Sequence, residues 1–234
     1  MQSSYKCLNH NIQEKMGHKN KPIENIRMNA WKVMLAWFVL VIAVFSVAGE
    51  WSLVAFEITY GLIFGGIAYK FRSKLRPFFR KLGLDNYFGF LLLCIFVTVT
   101  VEVYCYALGN MIAYPILWID LILVTILWTV WFGTWYFFLS KKYAFSEKEA
   151  LMTAGFTGIL FEYIGTGAII NDPFGFLLAT PLAVIIYAAI FILPMQLIDF
   201  TGKNESKVKY LVGIVLPFIL TIPVAVLSYI VLSI

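Results

Sequence analysis

Four acidic residues interrupt long hydrophobic stretches of this 234-residue chain: Glu57, Glu102, Asp120 and Glu162. A carboxylate in hydrocarbon costs about 2.5 to 3.5 kcal/mol on insertion scales, so an acid inside a membrane segment first suggests a functional site. Such acids can hold protons, bind a cation, or stabilise a positively charged substrate or transition state. We therefore take the four acids as candidate catalytic residues.

Six hydroxyl or aromatic residues accompany the acids and are candidate substrate-binding residues: Tyr60, Tyr104, Tyr106, Trp118, Tyr163 and Thr166. Three of them follow an acid by three or four residues, which places both side chains on the same face of a helix. The aromatic rings could stabilise a cation by roughly 0.5 to 2 kcal/mol each. The alternative for each aromatic residue is a place in the belt of Trp and Tyr at a membrane surface.

The composition explains which elements must position these residues. Hydrophobic residues make up 61% of the chain and charged residues 13%, and the mean hydropathy is +0.84. About 20 apolar residues are needed for a helix to cross the hydrocarbon. Seven runs approach that length, and they predict an all-helical membrane domain over residues 30–234 that follows a polar N-terminal tail, residues 1–29: residues 30–49, 51–69, 87–108, 114–139, 150–170, 174–198 and 210–234.

The basic residues predict the orientation of these helices, because cytoplasmic loops retain Lys and Arg. All 18 Lys and Arg residues fall in the segment through Lys32 or in residues 70–81, 141–148 and 203–209. The alternate loops, residues 49–51, 109–113 and 171–173, contain only Glu50 and Asp172 as charges. We therefore expect a multi-pass protein of the cell membrane with a cytoplasmic N-terminus and, after seven crossings, an external C-terminus.

The same topology places the four acids at a similar depth. With a rise of about 1.5 Å per residue, Glu102 and Glu162 lie roughly 20 to 22 Å from the cytoplasmic ends of their helices. Glu57 and Asp120 lie roughly 9 Å below the outer surface. The sequence therefore predicts a carboxylate cluster in the outer half of the bilayer. No Lys, Arg or His falls at that depth, and repulsion between the acids favours protonation of at least one.

Several site classes are not indicated. The three cysteines, Cys7, Cys94 and Cys105, form no CxxC pair, and both histidines, His10 and His18, lie in the tail. We therefore expect neither a metal nor another cofactor. A nucleic-acid partner is also not expected, because topology accounts for the positive charge. The basic segment 70–81 is expected to contact anionic lipid headgroups, and the sequence does not indicate an oligomeric state.

Two further patterns concern helix packing and helix ends. Gly61 and Gly65 form a GxxxG pattern in the second hydrophobic run, and Ala154 and Gly158 offer small surfaces in the fifth; both are typical of close helix contacts. Ser146 and the Glu three residues after it form a predicted capping box at the start of the fifth helix.

One stretch, AFEITYGLI at residues 55–63, resembles the second-helix signature of the small seven-helix integral-membrane terpene cyclases. The resemblance implies that Glu57 protonates a prenyl substrate. The second acid of that family lies on the last helix, where residues 210–234 have none, so Glu102 or Glu162 would have to replace it. The EYIGTG run at residues 162–167 is similar to a motif of membrane carotenoid hydratases, which also protonate isoprenoid double bonds.

Three functional hypotheses follow. The first is a membrane-embedded cyclase or lyase that performs acid-catalysed cyclisation, hydration or isomerisation on a hydrophobic lipid or isoprenoid substrate. The second is a cation- or proton-coupled transporter or channel that uses the same carboxylates. The third is a structural membrane subunit.

Overall fold

The computed structural model describes residues 21–110, 112–165 and 167–232, which form a helical bundle. We number seven helices: α1 Lys21–Ala48, α2 Trp51–Lys81, α3 Tyr87–Ala107, α4 Leu117–Lys142, α5 Glu147–Ile159, α6 Pro173–Met195 and α7 Val208–Leu232. A π-helical segment, Leu160–Gly165, continues α5, and a short helix, Ala168–Asn171, precedes α6. The described residues contain no strand, only an isolated bridge between Tyr143 and Asn204.

Six of these helices are long and apolar enough to cross a membrane: α1, α2, α3, α4, α6 and α7. The prediction of an all-helical fold is confirmed, and the six apolar helices are compatible with a multi-pass membrane protein. The fifth predicted span corresponds to α5 and its π-helical continuation and is not among the six. The count of seven spans and the orientation of the termini therefore stay predictions.

Helix α1 extends at its N-terminal end beyond the predicted apolar run. Helix α1 begins at Lys21, although its apolar span is only Trp31–Ala48. Residues 21–29 of the predicted tail are therefore helical, while residues 1–20 lie outside the described part of the chain. The helix continues N-terminal to its apolar span because extending an existing helix costs less free energy than nucleating one.

Helix α6 occupies the middle of the bundle and is the most buried of the candidate spans. It packs on α1, α2, α3 and α5. A Cβ atom added at Gly65 of α2 would lie 2.8 Å from Ala189 Cβ, and one added at Gly61 would lie 3.2 Å from Ile185 Cγ2. The predicted GxxxG contact is therefore confirmed, with α6 as the partner, because only small residues allow two helix backbones to approach this closely.

Helix α5 makes a second close contact with α6. A Cβ atom at Gly155 would lie 2.5 Å from the carbonyl oxygen of Val184, and one at Gly158 would lie 2.5 Å from the ring of Tyr187. Much of α5 is buried by protein, including Ala150 and Ala154, which have no exposed surface. A helix covered by protein needs fewer large apolar side chains than one that faces lipid, which explains its lower hydropathy.

Aromatic residues fill the space between α4 and α6. Trp131 packs on Phe132, with ring centroids 4.7 Å apart, and on Tyr187 at 5.5 Å. Trp135 lies 5.0 Å from Phe191 in the next layer. Rings in such arrangements stabilise a core beyond the area they bury, by about 0.5 to 1.5 kcal/mol a pair.

The loops that carry the basic residues meet at one end of the bundle, which we call the basic end. The loop after α4 joins the loop after α6 through a hydrogen bond from Ala144 N to Asn204 O, 3.0 Å long. Arg72 of α2 forms a 2.8 Å ion pair with Glu147 at the start of α5. The predicted capping box is confirmed there, because Ser146 and Glu149 bond each other's backbone N–H groups.

Helices α2 and α5 each depart from regular α-helical hydrogen bonding. Residues Glu57–Phe64 of α2 and Leu160–Gly165 after α5 are π-helical, as are Trp135–Leu139 of α4. Segments of this kind are rare and frequently occur at functional sites. Two of the four acids, Glu57 and Glu162, belong to them.

Candidate functional site

The four acids lie toward the bundle end opposite the basic end. Glu57 follows the first turns of α2, and Asp120 is in the first turn of α4. Glu102 belongs to the last turns of α3, and Glu162 to the π-helical segment after α5. The turns at this end include Gly49 and Gly109, whose φ angles of 86° and 79° are accessible to glycine at little cost.

Glu102 and Asp120 face each other between α3 and α4. Their carboxyl groups lie within hydrogen-bonding reach of each other. Asp120 is fully buried, and its Oδ1 accepts a 2.9 Å hydrogen bond from the backbone N–H of Tyr114. With both carboxyls ionised, Asp120 Oδ2 is buried without any donor from the described residues. A proton held between the two acids satisfies that oxygen.

Glu57 projects into the bundle from α2 and is only 4% exposed. Within the described residues, its Oε2 is buried and has no hydrogen-bond partner. Glu162 is close enough to act on it electrostatically. An ionised carboxylate without donors in such surroundings is expensive, so a proton, a positively charged ligand or a donor from solvent would stabilise it.

Glu162 is held by α6. The hydroxyl of Tyr187 donates a 2.9 Å hydrogen bond to Glu162 Oε1. The Glu162 side chain is solvent-accessible, yet protein atoms surround it closely. Glu162 therefore lies at the edge of the bundle, with its residue surface exposed and its carboxyl group close to many protein atoms.

Electrostatic influence connects the acids in pairs. Glu162 acts on Glu57, and Glu102 is affected by both Asp120 and Glu162. Cys105, one turn beyond Glu102, lies within electrostatic range of all four. Within residues 21–110, 112–165 and 167–232, Glu57, Glu102 and Asp120 form no ion pair with a basic side chain. The same residues contain no set of three or more His, Cys, Asp or Glu arranged to hold a metal ion.

Three of the predicted substrate-binding residues lie inside the bundle. Tyr60 is 5% exposed and stacks on Phe64, with ring centroids 4.9 Å apart. Tyr104 shares a 2.7 Å hydrogen bond with Thr59, which joins α3 to the π-helical segment of α2. Tyr163 is buried, and its ring packs edge-on against Phe176.

The other three lie elsewhere. Tyr106 is 48% exposed and Trp118 is 60% exposed. Both therefore lie on the outer surface of the bundle, which is the position of aromatic residues in an interfacial belt. Thr166 is outside the described residues.

One residue of this region escaped the sequence analysis. Tyr187 is 4% exposed and lies among Trp128, Trp131 and Phe161. It lies in the aliphatic stretch of α6, and the only signal for it is a hydroxyl group where every neighbour is apolar. Because its partner Glu162 is 25 residues away in the chain, spacing within one helix could not reveal the pair.

Comparison with protein-family models, curated proteins and solved structures finds no match to this chain.

Proposed function

We propose that this protein is a membrane enzyme that carries out acid-catalysed cyclisation, hydration or isomerisation of an isoprenoid or other lipid. The observation that carries the proposal is the contact between Glu102 and Asp120. Two carboxyl groups within hydrogen-bonding reach hold a proton between them, and no basic side chain among the described residues competes for it. Protonation of a double bond or an epoxide requires a carboxylic acid that is still protonated near neutral pH when the substrate binds.

The other acids have complementary roles in this proposal. Glu57 lacks a hydrogen-bond partner for Oε2 within the described residues, so it is available to a substrate that reaches the interior. Glu162 is exposed at the bundle surface, and we assign to it the exchange of protons with water. Together they would stabilise a carbocation through the charge of their carboxylates, assisted by the faces of Tyr60 and Tyr163.

We propose that the substrate reaches the acids from the lipid phase. The basic end would contact the membrane surface. Segment 70–81 has some of its charge paired with acids, since Arg72 binds Glu147 and Arg76 binds Asp199. Lys70 and Lys74 instead lie over the ring of Phe71, 5.8 and 5.7 Å from its centroid. A lysine on an aromatic ring at a membrane surface is well placed for anionic headgroups.

Transport of a cation or proton is the second candidate. The observation that favours it is Glu57, a buried acid whose Oε2 has neither a hydrogen-bond donor nor a cationic partner among the described residues. A cation in transit would supply the missing charge, and the exposed Glu162 would be the point where the cation enters or leaves.

The experiment that tests the proposal compares wild type with Glu102→Gln and Glu162→Gln in liposomes that contain isoprenoid lipid extract. Glutamine keeps the shape and the hydrogen bonding but cannot carry the titrating proton. We expect the wild type to form a product detected by mass spectrometry, and each variant to lose roughly 100-fold or more of that rate.

Glu50→Gln is the matched control, because Glu50 is an exposed acid in the outer turn between α1 and α2. It should retain the wild-type rate. A wild type that forms no product but shows pH-dependent cation uptake into the liposomes would replace the enzyme by the transporter. Wild-type behaviour of both glutamine variants in both assays would show that the acids are structural.

A further inference from the structure

The contact between Tyr187 and Glu162 points to a positioning role that rests on the proposed function. Tyr187 belongs to the central helix α6 and Glu162 to the π-helical segment after α5. The phenol donates its hydrogen bond to Glu162 Oε1 from a site that is almost completely buried. A rigid donor in the core therefore holds a carboxyl group that is itself accessible.

The core fixes the ring of Tyr187 on three sides. Phe161 stacks on it with ring centroids 6.0 Å apart and an interplanar angle of 11°. Trp131 and Trp128 approach it at 5.5 and 5.9 Å from α4. Packing of this kind restricts the ring to one orientation, so the hydroxyl can point only toward the end of the bundle that contains the acids.

Gly158 provides the remaining side. A Cβ atom at this position would lie 2.5 Å from both Cγ and Cδ2 of Tyr187, a distance that the ring could relieve only by moving. Gly158 lies about one helical turn before Glu162 in the chain. The same segment thus supplies the space for the tyrosine and the carboxyl group that the tyrosine binds.

We propose that Tyr187 is the positioning residue for Glu162, and that the absence of a side chain at Gly158 provides the space for the ring of Tyr187. The hydrogen bond fixes one oxygen of Glu162 and so restricts the orientation of the carboxyl group relative to the other acids. Loss of the phenol hydroxyl would remove this restraint, and a less well-defined carboxyl orientation would slow the proposed reaction.

The test uses infrared spectroscopy of the purified full-length protein across a pH series. The carboxyl band that disappears in Glu162→Gln is assigned to Glu162. In Tyr187→Phe, which keeps the ring and removes only the hydroxyl, we expect that band to move to higher frequency and to broaden. The groups that face Glu162 from other helices, Glu57 from α2 and Glu102 and Cys105 from α3, are unchanged in this variant.

Two comparisons make the result specific. Tyr136→Phe removes a phenol at the basic end, where its ring packs on Phe90, and should leave the Glu162 band unchanged. Gly158→Ala should move the band as Tyr187→Phe does, whereas Gly133→Ala, at a helical site with open space, should not. If Gly158→Ala fails to fold, Tyr187→Phe alone decides the question.

An unchanged Glu162 band in Tyr187→Phe, or an equal shift in Tyr136→Phe, would overturn the positioning role. In the product assay we expect Tyr187→Phe to lower kcat roughly tenfold, which corresponds to about 1.4 kcal/mol, while KM stays near the wild-type value. A shifted band in a protein that forms no product from isoprenoid lipid would keep the positioning role and refute the proposed reaction.

Discussion

At the scale of single residues, the basic end contains a carboxylate that accepts several hydrogen bonds. Glu149, in the first turn of α5, accepts hydrogen bonds from the hydroxyl of Tyr210 and from the backbone N–H and hydroxyl of Ser146. The Lys209 ammonium lies 3.2 Å from Glu149 Oε1 and also donates to the carbonyl oxygen of Ala144. Glu149 thus joins α5, α7 and the loop between α4 and α5.

This network predicts a loss of stability in acid. Burial alone would raise the pKa of Glu149, but the hydrogen bonds from Tyr210, Ser146 and Lys209 outweigh it and lower the pKa from 4.5 to about 2. A carboxyl whose pKa falls on folding stabilises the protein above its unfolded pKa and loses that contribution as pH falls toward its folded pKa. We expect up to about 3 kcal/mol to disappear between about pH 5 and pH 2.

Thermal unfolding in detergent measures this effect. Glu149→Gln should be less stable than wild type at pH 7, and the gap between their Tm values should narrow as the pH is lowered through this range. Glu205→Gln, which changes an exposed acid in the loop before α7, should follow wild type throughout. A gap that stays constant with pH would show that Glu149 contributes through packing rather than charge.

The acids show what single residues disclose from sequence alone. Hydrophobic context identified Glu57, Glu102 and Asp120 as candidate site residues, and all three are buried. Helical spacing could not show that Glu102 faces Asp120, because that pairing depends on how α3 and α4 approach each other. Trp118 illustrates the converse, since closeness in sequence to Asp120 did not bring its exposed side chain to the same side of α4.

At the scale of helices, the small residues of α2 determine how closely it approaches α6. The helix presents Gly61 and Gly65 to Ile185 and Ala189, while Gly66, next in the chain, faces open space. Two adjacent glycines in one regular helix therefore differ only in what surrounds them.

This difference predicts opposite effects of one substitution. Gly65→Ala would place its Cβ 2.8 Å from Ala189 Cβ and should destabilise the protein by about 1 to 3 kcal/mol through overpacking. Gly66→Ala should be neutral or stabilising by up to about 1 kcal/mol, because alanine favours a helix more than glycine does. Tm values in one detergent compare the two variants.

Gly66 is a better control than a loop glycine. Gly83, in the turn after α2, has a φ angle of 71°, so any side chain there introduces backbone strain of its own. Equal Tm changes for Gly65→Ala and Gly66→Ala would show that the close contact at Gly65 does not contribute to the stability of the bundle.

The helices themselves were largely predictable, and their irregularities were not. The run 87–108 predicted α3, which spans Tyr87–Ala107, and the run 174–198 predicted most of α6, Pro173–Met195. Apolar length suffices for such predictions. The π-helical segment at Glu57–Phe64 left no signal, because one extra residue per turn changes hydrogen bonding without changing composition. The place of α6 in the centre was equally hidden, since a helix that is apolar all round shows no preferred face.

At the scale of the whole molecule, the connections meet in a pattern that fits alternating crossings. The C-terminal part of α2, the start of α5 and the loops after α4 and α6 join at the basic end through Arg72 with Glu147, Arg76 with Asp199, and the Ala144 bond to Asn204. Glu149 lies at that end of α5, while Glu162 contacts Tyr187 toward the other. These contacts support our inference that α5 with its π-helical continuation is a seventh crossing.

Cysteine labelling in sealed, right-side-out vesicles tests this topology. In a background with the native cysteines replaced by alanine, Glu50→Cys and Ile170→Cys should react with an impermeant maleimide from outside, whereas Ser73→Cys should react only after the membrane is opened. All three sites are exposed. Reaction of Ile170→Cys only after opening would show that α5 returns to the cytoplasmic side, leaving six crossings.

The central place of α6 also has a consequence for the order in which the molecule is built. The helices that it packs against, α1, α2, α3, α5 and, through aromatic side chains, α4, all precede it in the chain. During synthesis they enter the membrane without the element that separates them, so the glycine surface of α2 and the acid of the fifth segment initially lack their partners. A late step of assembly is therefore the entry of this hydrophobic helix into the space between its predecessors, and only α7 is added after it.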